Sequence, residues 1–88
     1  MSTNAVVDAW QADIPPLQKL VLLAFCDGVS CDGSLHFNLA RTMRRCSMVE
    51  PVLRKVLDEL VAGGWIGDWQ IKDGAIFSTL NGYGEKAA

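Results

Sequence analysis

Residues 39–66, LARTMRRCSMVEPVLRKVLDELVAGGWI, constrain the fold more than any other part of this 88-residue chain. Val52, Leu53, Val56, Leu57, Leu60 and Val61 recur at helical spacing, so the stretch opening at Pro51 reads as an amphipathic helix with a broad buried stripe. Gly63-Gly64 ends it, because glycine takes the left-handed backbone that closes a helix. Upstream, Asn38 is a good N-cap for a shorter helix running through Arg45 or Cys46. Ser47 to Glu50 form the turn between the two. Two helices joined by so short a turn must lie against each other, and the flanking chain has to complete their core.

The flanks supply it. Asp13 is placed to cap another helix, with Pro15-Pro16 in the first turn, where a missing N–H costs least. Leu17, Leu20, Val21 and Ala24 then share one face, and Leu22, Leu23 and Phe25 make the helix apolar nearly all round, which suits a central position. The segment CDGVSCDGS reads as a loop, because Asp-Gly pairs mark turns. Ser34-Leu35-His36 has the character of a short strand. Beyond Gly64 the pattern switches to period two. Trp65, Trp69 and Ile71 are assigned to one strand, and Ile76, Phe77 and Leu80 to the next. Lys72-Asp73-Gly74 is the hairpin turn, of a primed type that requires positive φ at Gly74. Residues 1–13 are read as a leader or a short helix, in which Ala5, Val6, Ala9 and Trp10 make one amphipathic turn against the core or a second copy of the chain. Residues 82–88 are a frayed tail. The expected domain spans 14–81 and belongs to the α+β class, with three helices and a small antiparallel β-hairpin.

Composition narrows the function. Half of the residues are hydrophobic, which suits a folded core. No apolar run approaches the roughly 18 residues of a membrane span, so no membrane partner is expected. The N-terminus lacks the basic flank and apolar run of a signal peptide, so a cytoplasmic location is expected. Three cysteines in that setting stay reduced. Cys26, Cys31, His36 and Cys46 are spaced too widely to resemble the paired ligands of structural zinc, so neither metal nor cofactor is expected. No phosphate-cradling glycine loop, nucleophile elbow or metalloprotease helix occurs. Asp58 and Glu59 are neighbours on a helix and point to different faces. The reading is of a binding module and not of an enzyme.

The net charge of −2 is unevenly spread. Residues 41–55 hold Arg41, Arg44, Arg45, Arg54 and Lys55 against Glu50 alone, whereas acidic residues outnumber basic ones on both sides. A local positive field of this kind steers anionic partners even on an acidic chain, although five basic residues also suit an ordinary solvated helix face. Lys72 adds a cation at the hairpin turn. Trp65 is expected in the core. Trp69 reads two ways, as packing on the helices or as an exposed interface residue.

The segments KLVLLAF at 19–25, CDGS at 31–34, NLARTMRRCSM at 38–48 and RKVLDELVAGGWI at 54–66 together resemble the winged helix-turn-helix domains of phage and prophage replication initiators and related small phage proteins. The resemblance implies a winged helix that binds nucleic acid, DNA above all, and serves as a regulator. Arg41, Arg44 and Arg45 would contact phosphates from the first helix of the motif, with Arg54 and Lys55 along the second and Lys72 at the wing. In such domains the turn before the reading helix carries a Gly-x-Ser, then Arg or other polar residues, then Thr-Val. Here Val49 stands where the capping serine is expected, and Glu50 and Pro51 occupy positions that would face base edges. Neither residue offers the bidentate donor contacts of major-groove reading, so weak sequence preference is implied. Glu50, Pro51 and the acidic total keep a second reading open. In it the scaffold binds a protein and blocks a host nucleoprotein complex, as an anti-CRISPR or polymerase inhibitor would. A dimerising module, with Trp10 at a homodimer contact, is the third reading.

Overall fold

The computed structural model describes the backbone of residues 3–81 and the side chains of residues 7–81. Among these, four helices and three strands follow in the order α1 (Thr3–Gln11), α2 (Pro16–Gly28), β1 (Ser34–Asn38), α3 (Leu39–Cys46), α4 (Glu50–Ala62), β2 (Gln70–Lys72) and β3 (Ala75–Thr79). The class is α+β, as expected, but there is one helix more than the three expected. The sheet is also larger than a free hairpin. It is open and antiparallel with order β1-β3-β2, so the strand at Ser34–Asn38 pairs with β3 and gives the hairpin a third partner. The tail reading at 82–88 and the inward role of Ala5 and Val6 lie outside the described residues.

The extra helix is the leader. Among the described side chains of α1, Ala9 is buried while Val7 and Trp10 are exposed. Lys19 Nζ donates to the Trp10 carbonyl at 3.0 Å and ties the end of α1 to α2. The α2 N-terminus departs from expectation. Pro15 is the N-cap, Pro16 opens the helix, and no side chain caps it. A residue before proline is held extended, so the helix starts at Pro16 and Asp13 lies too far upstream to serve. The buried face of α2 is Val21, Leu22, Phe25 and Cys26, whereas Leu17 and Leu20 are 49% and 41% exposed. A helix apolar nearly all round does not specify its inner face by pattern, and packing by α1, α3 and α4 selects it. At the end of the helix, a Cβ on Gly28 would lie 2.9 Å from the Phe37 ring, which rests 5.0 Å from Phe25.

Both helix stops on either side of α4's sequence have the same hydrogen-bond pattern. At the end of α3, Ser47 turns left-handed (φ 53°), its N–H donates to the Arg44 carbonyl, and the Met48 N–H reaches back to Met43. At the end of α4, Gly64 has φ 80°, its N–H donates to Val61, and the Trp65 N–H reaches back to Leu60. These paired bonds are the Schellman closure, which satisfies carbonyls a helix end otherwise leaves open. Asn38 caps α3 as expected, its side chain accepting from the Arg41 N–H at 2.8 Å. Thr42, buried among apolar groups, donates its hydroxyl to the Asn38 carbonyl.

Leu53, Val56, Leu57 and Leu60 of α4 are buried at the centre of the molecule with Leu35 and Ile76 of the sheet. Val52, read as part of that stripe, is 37% exposed. The hairpin turn follows the sequence reading. Asp73 and Gly74 both have positive φ, and Lys72 pairs with Ala75, which makes a two-residue type I′ turn. Trp65 and Trp69 do not belong to a strand. The chain from 65 to 69 runs irregularly, with one isolated bridge between Ile66 and Leu80, before β2 begins at Gln70. Leu80 likewise falls just beyond β3. No helix among the described residues is long and apolar enough to cross a membrane.

Candidate interaction surface on α3 and α4

The residues singled out for binding divide into two groups that the sequence does not separate. The first is a row along α4 at i, i+4 and i+8. Arg54 Nε donates to Glu50 Oε2 at 2.9 Å, and the same guanidinium lies 5.6 Å from the centre of the Trp69 ring. Trp69 Nε1 donates to Asp58 Oδ1 at 2.9 Å. The indole therefore leans across α4 and fastens the segment before β2 to the helix. Trp69 is half-buried and packs against the core, as does Trp65. Of the two readings open for Trp69, its ring contacts fit packing. Arg54 and Glu50 are engaged in the same row.

The second group surrounds α3. Arg41, Arg44 and Arg45 are exposed, with no acidic residue on that helix. Arg45 turns toward α2 and meets Asp27 at 3.3 Å, both side chains about half exposed. No ion pair among the described residues involves Arg41, Arg44, Lys55 or Lys72. Exposed pairs such as Arg45–Asp27 contribute at most about 1 kcal/mol, so they redirect charge more than they hold the fold. The outward side of α4 sets Arg54 and Lys55 against Asp58 and Glu59. The unopposed positive charge thus sits on α3 and not on α4.

Beside Arg44 runs an open groove of about 440 Å³, lined by Ala40, Met43, Arg44, Ser47, Met48 and Val49. Its shape follows from the left-handed turn at Ser47, which folds Met48 back toward Met43. Val49, at the N-cap of α4, is 62% exposed and offers no side-chain cap. Ala40, Met43, Met48 and Val49 were not among the residues the sequence marked for binding. The signal for them is weak, amounting to two methionines astride a helix stop and a valine where a capping residue belongs.

The remaining candidates for chemistry lie apart. Cys26 and Cys46 are buried free thiols, while Cys31 is exposed in the loop before β1. Burial, with the Asp8 carboxylate nearby, pushes the Cys26 thiol up to about 11, and burial also raises Cys46, partly offset by Arg45. His36 stacks on Phe77 across the outer face of the sheet at 4.6 Å. Among the described residues no three His, Cys, Asp or Glu side chains come together in a way that could hold a metal ion. No family model, curated protein or solved structure matches the chain.

Proposed function

We propose that this chain is a non-enzymatic binding module, built as a winged helix-turn-helix, whose α3 face and following turn engage a protein. The winged-helix reading is supported by the order of elements from α2 onward and by a sheet in which β1 and β2 flank β3. The observation that carries the protein reading is the apolar groove beside Arg44, with the exposed Val49 in its lining. A DNA reader presents donors at this corner, whereas here two methionines, a valine and an alanine accompany a single arginine, a lining that suits an apolar side chain of a partner. The near-balanced charge on the outer side of α4 favours the same choice. In keeping with the phage resemblance, the partner would be a component of a host nucleoprotein complex, blocked by occupation of its surface.

A second reading, nucleic-acid binding, is favoured by one observation. Arg41, Arg44, Lys55 and Lys72 are exposed without an ion pair among the described residues. These cations would contact phosphates without reading bases. One pair of measurements separates the two. In the protein reading, immobilised protein captures a host protein from nuclease-treated lysate, and Arg41→Glu with Arg44→Glu abolishes capture while circular dichroism stays unchanged. In the nucleic-acid reading, duplex DNA binds at about 50 mM salt with a log–log slope near −0.9 per phosphate neutralised, and the same capture fails. Steep salt-dependent DNA binding without protein capture would overturn the proposal.

A further inference from the structure

We infer that the groove between α3 and the turn into α4 receives an acidic amphipathic helix of the partner, one large apolar side chain entering between Met43 and Met48 while a carboxylate pairs with Arg44. This rests on the protein-binding reading above and names the chemistry of the partner. Three features of the site lead to it.

The first is shape. Ala40, Met43 and Arg44 fall at i, i+3 and i+4 along α3, with Ser47 at its C-cap, so one wall of the groove is a helical ridge. A second helix presents side chains at matching intervals and seats them beside such a ridge. The second is the lining. Four of its six residues are apolar, and two of those are methionines. Thioether side chains adapt to apolar guests and are used at helix-binding surfaces. None of the six is aromatic, so the groove has no ring on which a nucleic-acid base would stack. The third is charge. Arg44 is the one charged residue lining the groove, Arg41 lies one turn before it on a helix with no acid, and neither has an ion pair among the described residues. A guanidinium in that position pairs in bidentate fashion with a carboxylate. Charge complementarity therefore selects an acidic guest over a basic or neutral one.

The test uses synthetic helical peptides of about 15 residues. One carries a row of leucines beside a row of glutamates. Its controls replace the glutamates by glutamine or the leucines by alanine. Binding is followed through the methyl resonances of labelled methionine and by fluorescence anisotropy. The expected result is a shift of the Met43 and Met48 methyls with the acidic peptide. Affinity should fall by about tenfold or more with either control, with Arg44→Glu, and at raised salt, and Arg44→Lys should recover part of it. Ala40→Trp, which fills the groove from an exposed position, should block binding, with Val49→Glu, which repels the peptide's carboxylates, as a second blocking variant should the first disturb the fold. Lack of methyl shifts up to about 1 mM peptide, a complex far weaker than transient protein contacts reach, would overturn the inference. Binding indifferent to Arg44→Glu and to both blocking variants would do the same. If host-protein capture is lost with Arg41→Glu and Arg44→Glu yet survives both blocking variants, the protein-binding reading stands and the groove is wrong. If capture and peptide binding both fail, both readings fall.

Discussion

At the scale of single residues, two positions make sharp demands. Gly74 has φ 74° with open space around the place a Cβ would occupy, so only backbone strain opposes a side chain there. Gly74→Val should destabilise the protein by about 1–2 kcal/mol, read as a lower urea midpoint at unchanged slope, because a β-branched residue resists the left-handed region. Cys26 makes a demand on pH. Its thiol is raised to about 11 in the folded state, above its ordinary value of 9.0. The unfolded thiol ionises first, so its stabilising contribution is whole below about pH 9 and is lost as the pH rises toward 11. The full effect is about 2–3 kcal/mol. Cys26→Ala should remove this slope from the pH dependence of the urea midpoint, whatever its cost in packing. An equal slope in both proteins would show that the thiol is not buried as described.

At the scale of elements, α4 organises the molecule through two different faces. Its inner face is a stripe of leucine and valine, in which Leu57 and Leu60 have no exposed surface. Either residue changed to Ala should cost about 2–5 kcal/mol, and chemical denaturation followed by circular dichroism would measure it. Its lateral face holds the segment before β2 through Trp69. Trp69→Phe keeps a ring over Arg54 but removes the donor to Asp58. A loss of about 0.5–1.5 kcal/mol is expected, smaller than for the leucines because the bond lies at the surface. Asp58→Asn should cost less than Trp69→Phe, since an amide oxygen still accepts from the indole. Equal midpoints for wild type and Trp69→Phe would refute the fastening role.

At the scale of the whole molecule, α1 decides how much of the chain acts as one body. It covers α2 through Ala9, and Ala12 is buried just beyond its end. Removing residues 1–11 should lower stability by about 1–3 kcal/mol through lost apolar burial, without dissolving the α2–β3 unit. Urea unfolding of the shortened chain, with near-ultraviolet circular dichroism to check that tertiary packing persists, tests this. Val7 and Trp10 on α1 and Leu17 and Leu20 on α2 remain exposed. Single exposed apolar residues are normal on a folded surface, and they give no reason to prefer a homodimer over a monomer.

Local rules determined much of what can be read from the sequence alone. Asn38 capped α3 because its short side chain reaches a free N–H three residues on. Asp73-Gly74 dictated its turn because few other pairs accept two positive φ values. Gly64 stopped α4 because glycine accepts the left-handed backbone of the closing residue, and the leucine stripe of α4 had one face that could be buried. Tertiary structure decided what depends on competing partners. The apolar surface of α2 has several candidate inner faces, and its neighbours chose the one that leaves Leu17 and Leu20 outside. Trp65 and Trp69 carry the alternation of a strand, yet residues 65–67 meet 79–81 through a single bridge and Trp69 docks on Asp58 and Arg54. The arginines at 41–54 form one basic run in sequence, but Asp27 engages Arg45 and Glu50 engages Arg54. Helical spacing within α4 pairs Glu50 with Arg54, whereas only the fold brought Asp27 to Arg45 and left Arg44 beside an apolar groove. The groove itself had no local signal, because it arises where Ser47, in a conformation unusual for serine, turns Met48 back on Met43.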